Sequence, residues 1–422
     1  MNAVDPRRGA HLLRAARFLP SGGTSLWGWA FAPFGRKILD IIDARLERGR
    51  LEVWLPDGSF RVLGGRAEGH GCEVHLKRWH ALFRLANAGS VGWYQAWEAG
   101  EWDSPNPVPL FALFMENGES LGRVGRARGP LQWVMRLVHM LRSNSRAGAR
   151  RNIAAHYDLG NDFYDKWLDE SMSYSSALFA DPTSPTEGLN AAQTAKIDAA
   201  LNRLTLKTGD QLLEIGCGWG GLARRALERF DIRYDGLTLS QEQAEWARAI
   251  LPADRAFIHL TDYRDAVGQY DAIASIEMVE AVGQEYWPDY LAAIHRLLKP
   301  GGRAVIQYIS IDDALFAQYA RGADFIQTYI FPGGMLLSES RFRVIAERQG
   351  LAWHDRRAFG AHYATTLRLW RERFDAAVEG GRLPPAFDAR FVRLWRYYLM
   401  YCEGGFAGGG IDVAQVTLIK AS

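Results

Sequence analysis

The chain has 422 residues, 48% hydrophobic and 23% charged, with a formal net charge of +2; this is the balance of a folded protein with large buried cores and excludes disordered and fibrous classes. At roughly 150 residues per domain, the length predicts two or three domains. Three scattered cysteines, Cys72, Cys217 and Cys402, build neither a disulfide framework nor a CxxC metal site, which fits a reducing cytoplasm.

The long uncharged run from Phe18 to Gly35 is broken by Pro20, Gly22, Gly23, Gly28, Pro33 and Gly35. A spanning helix needs about 20 mainly apolar residues, so the chain is expected to be soluble or peripheral. Leu51 to Val62 alternates on both sides of Asp57-Gly58 and predicts a hairpin. A strand near Glu73 to Leu76, a helix over Trp79 to Ala86 and the block Glu98 to Pro105 complete a small α+β unit. Its histidines, His70, His75 and His80, have neither helix-face nor zinc spacing and are read as structural or exposed.

Between Ser120 and Tyr157 there is no acidic residue, while Arg123, Arg126, Arg128, Arg136, Arg142, Arg146, Arg150 and Arg151 supply +8, leaving −6 on the rest. Leu131, Val134, Met135, Leu137, Val138 and Leu141 recur at helical spacing within it. This segment is either a linker helix docked on a neighbouring domain or an anchor for an anionic membrane surface. No nucleic-acid-binding pattern accompanies it. Beyond residue 200, candidate strands at Gln211–Ile215, Arg233–Leu237, Arg255–Leu260, Tyr270–Ile276 and Arg303–Ile309 alternate with helical stretches, which predicts a parallel α/β sheet.

The strongest motif is Leu212-Leu-Glu-Ile-Gly-Cys-Gly-Trp-Gly-Gly221, an apolar strand running into a glycine turn and a helix. Gly216, Gly218 and Gly221 also satisfy the dinucleotide pattern GxGxxG. Three features favour S-adenosylmethionine. Glu214 stands where it repels a phosphate but suits the amino group of a methionine moiety. Thr238, Ser240 and Gln243 after the second strand offer neutral polar contacts to a ribose, and Asp262-Tyr263 after the third offers a carboxylate and a ring to an adenine.

His156-Tyr-Asp-Leu-Gly-Asn-Asp-Phe-Tyr164, Met172-Ser-Tyr-Ser-Ser176, the glycine loop, Gly236 to Ser240, Met278-Val-Glu-Ala-Val-Gly283, Tyr329 to Gly333 and Phe359-Gly-Ala-His-Tyr363 follow in an order that resembles the cyclopropane-fatty-acyl-phospholipid synthase and mycolic acid methyltransferase family. The resemblance runs from about Arg151 to Lys420 and extends, through residues 50 to 118, to the N-terminal lipid-handling domain of its phospholipid-acting members. It implies a class I Rossmann-like methyltransferase domain at 152–422, a lipid-handling α+β domain at 1–120 and a basic amphipathic linker at 121–151. It implies cofactor contacts from Tyr174, Ser175, Gly216, Gly218, Thr238, Gln243, Asp262 and Tyr263, with Ile276 packed on the adenine. Trp219 and Phe331 fit a core role equally well.

In this family the double bond of an acyl chain takes the sulfonium methyl group, and the resulting carbocation loses a proton. The site therefore needs an apolar, water-excluding tunnel, aromatic faces and a base that acts after methyl transfer. The resemblance implies that the base is a bicarbonate held by a Cys-containing loop, a Glu, a His and a Tyr. Glu280 and Tyr363 match the Glu and the Tyr; Ser176 stands for the Cys and Gln307 for the His, while Glu277 occupies a position where small residues are common. Gln307 donates a hydrogen bond but does not titrate. Two outcomes stay open. Ser176, Gln307, Glu280 and Tyr363 still cradle bicarbonate and give a cyclopropane, or Glu277 or Glu280 acts directly and gives a methyl-branched or methylene product of the kind made by relatives that form methylated or furan-type fatty acids.

The expected partners are an unsaturated phospholipid acyl chain and, through 123–151, an anionic membrane surface, with no nucleic acid, no metal and a possible homodimer. The expected location is the cytoplasm, peripheral to the inner face of the membrane. A lipid-binding accessory protein without chemistry and a small-molecule methyltransferase are the competing classes.

Overall fold

The computed structural model describes residues 8–14, 31–122 and 159–422; the arginine strip at 123–151 and residues 156–158 of the first motif lie outside the described residues. The chain forms two compact units. The first is Met1–Arg142 with Ala314–Pro332 and Ala386–Ile411; the second is Ser143–Asp313 with Gly333–Pro385 and Asp412–Ser422.

In the first unit β1 (Arg50–Trp54) and β2 (Phe60–Gly64) form the antiparallel hairpin expected at Asp57-Gly58. Gly58 turns at φ +84°, and Asp57 Oδ1 accepts hydrogen bonds from the Ser59 amide and hydroxyl. β3 (Gly71–Leu76) runs parallel to β1 and β4 (Trp102–Asp103) antiparallel to β3, giving the order β2-β1-β3-β4. Leu51, Val53, Val74 and Leu76 bury one face against Leu39 and Ile42 of helix Ala32–Arg45 and Leu82 and Leu85 of helix His80–Glu98. The latter helix runs past the expected end and breaks its geometry at Gly89, which has φ +57°. His70, His75 and His80 each face a glutamate, Glu116, Glu73 and Glu101, at 2.7 to 3.1 Å. Helices Val108–Glu116 and Ala389–Ala407 approach so closely that a Cβ on Gly404 would stand 2.5 Å from Phe111.

The second unit is an α/β domain on a seven-stranded sheet of order β10-β11-β9-β8-β5-β6-β7. β5 (Gln211–Ile215), β6 (Arg233–Thr238), β7 (Ala256–Leu260), β8 (Tyr270–Ile276) and β9 (Leu298–Ile311) pair in parallel, as the sequence pattern predicts. β10 (Leu351–Ala358) and β11 (Ile411–Lys420) add an antiparallel pair. Leu212, Tyr234, Ile258, Ala272, Ala274 and Val305 fill the core beneath helices Leu189–Leu204, Gly221–Arg229 and Gln241–Ile250. Residues buried on both faces are what a parallel sheet covered by helices demands. Among the described residues no helix is long and apolar enough to cross a membrane.

Candidate active site

At the carboxyl end of β5 the chain passes through Gly216 (φ +84°), Gly218 (φ +51°) and Gly220 (φ +85°) before helix Gly221–Arg229 begins. A Cβ on Gly216 would stand 2.7 Å from Met278 Cγ, and one on Gly221 would stand 2.7 Å from the Ser171 carbonyl oxygen; one on Gly218 would meet nothing within 4 Å. The loop is thus packed at its ends and bare at Gly218, where a ligand can approach the backbone. Open sheets bind ligands at this end of their strands.

Glu214 is buried and accepts a hydrogen bond from the Tyr234 hydroxyl. Burial pushes its carboxyl up to about 7, against the pull of that hydrogen bond and of the Lys196 charge. After β6, the Thr238 hydroxyl donates to Gln243 Oε1 at 2.8 Å, and Ser240 caps helix Gln241–Ile250 by accepting from the Gln243 amide. After β7, both Asp262 oxygens accept from the Arg264 guanidinium at 2.7 and 2.8 Å. That pairing leaves Tyr263, set edge-on to Tyr290 at 5.5 Å, as the ring at this corner. Ile276 closes β8 in register with Gln307. Tyr174 rests among Tyr164, Trp167 and Trp370, with ring centroids 5.4 to 5.6 Å away. Ser175 beside it is fixed twice: its hydroxyl oxygen accepts from Lys196 Nζ at 2.7 Å and its carbonyl from Gln193 Nε2 at 2.8 Å. A bare glycine turn, a buried carboxylate for an ammonium and neutral polar groups beyond the next strand fit a zwitterionic adenosyl compound and not a pyrophosphate.

The second cluster lies where β8 ends. Glu277 has φ +49°, a conformation that side chains other than glycine rarely adopt and that costs of order 1 kcal/mol or more. This conformation aims the carboxylate into three donors: Oε1 accepts from the Ser176 amide at 2.9 Å and Gln307 Nε2 at 2.7 Å, and Oε2 from the Tyr363 hydroxyl at 2.7 Å. The Ser176 hydroxyl points elsewhere, to the Ala177 carbonyl, so the side chain at 176 is immaterial to the contact. Gln307 is held in turn by Gln415 Nε2, which donates to its Oε1 at 3.0 Å.

Burial pushes the Glu277 carboxyl up, opposed by its three hydrogen bonds and the charge of Lys196. Glu280 accepts a short hydrogen bond from the Ile309 amide at Oε1, while its buried Oε2 has no partner among the described residues. Burial, reinforced by the charge of Glu277, pushes Glu280 up to about 8. The two carboxyl groups differ in their partners: three donors favour a charge on Glu277, whereas a single donor opposes the burial of Glu280.

The fold therefore brings Ser176, Gln307, Tyr363 and Glu277 into direct contact. The three donors expected around a bicarbonate are already directed at the Glu277 carboxylate. Lys196, Gln193 and Gln415 belong to the same network and went unread in the sequence, because the Gln415 amide meets the Lys196 carbonyl across 219 positions. Tyr164, Trp167 and Trp370, all fully buried, were equally silent as a box around Tyr174.

Comparison with known proteins gives the same class. Residues 144–416 match the model of the mycolic acid cyclopropane synthetase family. The chain is 40% identical over 370 residues to tuberculostearic acid methyltransferase UfaA1 of Mycobacterium tuberculosis, covering 84% of this chain and 85% of that protein. It is 32% identical over 355 residues to cyclopropane-fatty-acyl-phospholipid synthase of Escherichia coli K12, covering 82% and 88%. Among solved structures, mycolic acid cyclopropane synthase CmaA1 complexed with SAH and CTAB superposes with TM-score 0.59 at 33% identity, covering 64% of this chain and 98% of that one. The protein is an S-adenosylmethionine-dependent methyltransferase. It belongs to the cyclopropane-fatty-acyl-phospholipid synthase and mycolic acid cyclopropane synthase family.

Proposed function

We propose that this enzyme methylates double bonds of unsaturated acyl chains in membrane phospholipids and uses Glu277 as a built-in base, releasing a methyl-branched unsaturated chain. The observation that carries the reading is the Glu277 carboxylate seated in the Ser176, Gln307 and Tyr363 donors. S-adenosylmethionine supplies a methyl group already activated by its sulfonium, so the acceptor needs no base before transfer. Tyr174, Ser175, Glu214, Gly216, Gly218, Thr238, Gln243, Tyr263 and Ile276 hold it. Asp262 acts there by orienting Arg264.

What the chain itself must supply comes afterwards. The acyl chain carries a cation once the new C–C bond has formed, and the ring of Tyr174, backed by the buried Trp167 and Trp370, stabilises positive charge while water is kept out. Glu277 then takes one proton from the carbon skeleton, and the released electron pair quenches the cation as a double bond. A fixed carboxylate reaches one direction only, and three donors set that direction. Burial and the charge of Glu277 both disfavour a second negative charge on Glu280, whose Oε2 has no partner among the described residues. Bicarbonate has no role in this scheme, since its donors are engaged. Support comes also from the 40% identical relative, which is named for methyl transfer and not for ring formation.

Residues 1–120 are read as the lipid-handling domain and 123–151 as the contact with anionic membrane on the cytoplasmic side. Incubation with isotope-labelled S-adenosylmethionine and unsaturated phospholipid vesicles, followed by NMR of the lipid, tests the reading. Olefinic signals with a branch are expected. Cyclopropane signals would overturn the product, and label that reaches soluble acceptors but no lipid would overturn the substrate.

A further inference from the structure

Lys196, on helix Leu189–Leu204, is 2% exposed. Among the described residues it forms no ion pair within 4 Å, and its ammonium makes one hydrogen bond, to Ser175 Oγ at 2.7 Å. An ammonium carries three donors, and burying one with so few partners is costly. Burial lowers its proton affinity, opposed through space by Glu277, Asp169 and Glu214. Asp169 is itself consumed by the Ser171 and Ser173 amides and the Ser171 hydroxyl.

The consequence falls on Ser175. Its oxygen accepts a hydrogen bond from the Lys196 ammonium, so its own O–H is left to donate outward. Gln193 fixes the same residue's carbonyl, and the following amide is committed to Glu277. A hydroxyl donor backed by a buried cation selects an anionic oxygen. In S-adenosylmethionine the one anionic group is the α-carboxylate, and Glu214 offers the counterpart for the α-ammonium.

We propose that Lys196 is a positioning residue that orients and polarises Ser175 so that the serine hydroxyl binds the α-carboxylate of S-adenosylmethionine. The proposal rests on the assignment of Ser175 to the cofactor site and is independent of which group acts as the base. Lys196 and Ser175 then act as one unit, and the methionine end of the cofactor is gripped as a zwitterion.

Calorimetric titration with two ligands tests this without turnover. S-adenosylhomocysteine carries the amino-acid end; 5′-methylthioadenosine lacks it. Lys196→Met should weaken S-adenosylhomocysteine at least tenfold and change 5′-methylthioadenosine less than twofold. Ser175→Ala should show the same selectivity, and the double variant should lose little more than either single one. Equal weakening of both ligands, an unchanged affinity for S-adenosylhomocysteine, or additive losses would overturn the proposal. If Lys196→Met does not fold, Ser175→Ala alone carries the test. A failure of the Glu277 scheme would leave these binding ratios untouched.

Discussion

Glu277, the proposed base, has a strained backbone and two oxygens that are both aimed. Glu277→Gln keeps the shape and removes the base. Turnover should fall by about 10²-fold or more, the usual scale for a lost general base, while affinity for S-adenosylhomocysteine stays within about threefold. Equal losses in both would make Glu277 a binding residue. Because burial raises the Glu277 carboxyl, the acid limb of turnover should lie above the ordinary glutamate range of about 4.3. Turnover then falls as the pH drops through that raised value. Glu280 gives a separate signal in stability. With a folded value of about 8 against about 4.3 unfolded, both states carry the proton at low pH, and between those values only the unfolded chain releases it. Stability therefore declines as pH rises through this window. Glu280→Gln keeps an acceptor for the Ile309 amide and removes the penalty. Its apparent Tm should exceed wild type by at least about 2 °C at pH 8 and match it near pH 4.

At the level of elements, the parallel strands were legible because apolar runs bounded by turn residues admit few readings, and β5 and β8 fall where the pattern puts them. β11 was not legible as a partner of the catalytic strand, although Gln415 holds Gln307 there, since nothing local announces which neighbour a strand will find. The stretches Ala314–Pro332 and Ala386–Ile411 tell the same story: both belong to the first unit, and nothing in their local sequence announces it. The glycine turn was legible in full, because positive φ at Gly216 and Gly218 is written in residue type. The proposed base was legible only as a choice between Glu277 and Glu280, and the proposal of Glu277 rests on a φ angle and three distances. At this scale Gly218→Ala is informative: its Cβ would enter open space, and φ +51° costs it about 1 kcal/mol, so the fold should persist with a slightly lower Tm while affinity for S-adenosylhomocysteine drops at least tenfold by calorimetry. Retained affinity would place the ligand elsewhere.

Across the molecule, a net charge of +2 divides into +8 between Ser120 and Tyr157 and −6 on the remainder. A surface attracted to anionic lipid through eight arginines loses that attraction as salt screens it. Sedimentation with vesicles containing anionic lipid should fall steeply between low and physiological ionic strength, and neutral vesicles should bind poorly at both. Binding that ignores salt and lipid charge would return the strip to a plain linker.

In the proposed mechanism the base belongs to the protein. Rates of methyl transfer in buffer freed of dissolved carbon dioxide, with and without added bicarbonate, test it most directly when wild type is set beside Glu277→Gly. The wild-type rate should be the same in both, and the glycine variant, its cradle vacated, should depend on bicarbonate for whatever activity it has. A wild-type enzyme that stops when bicarbonate is withdrawn and recovers when it is restored would contradict the claim.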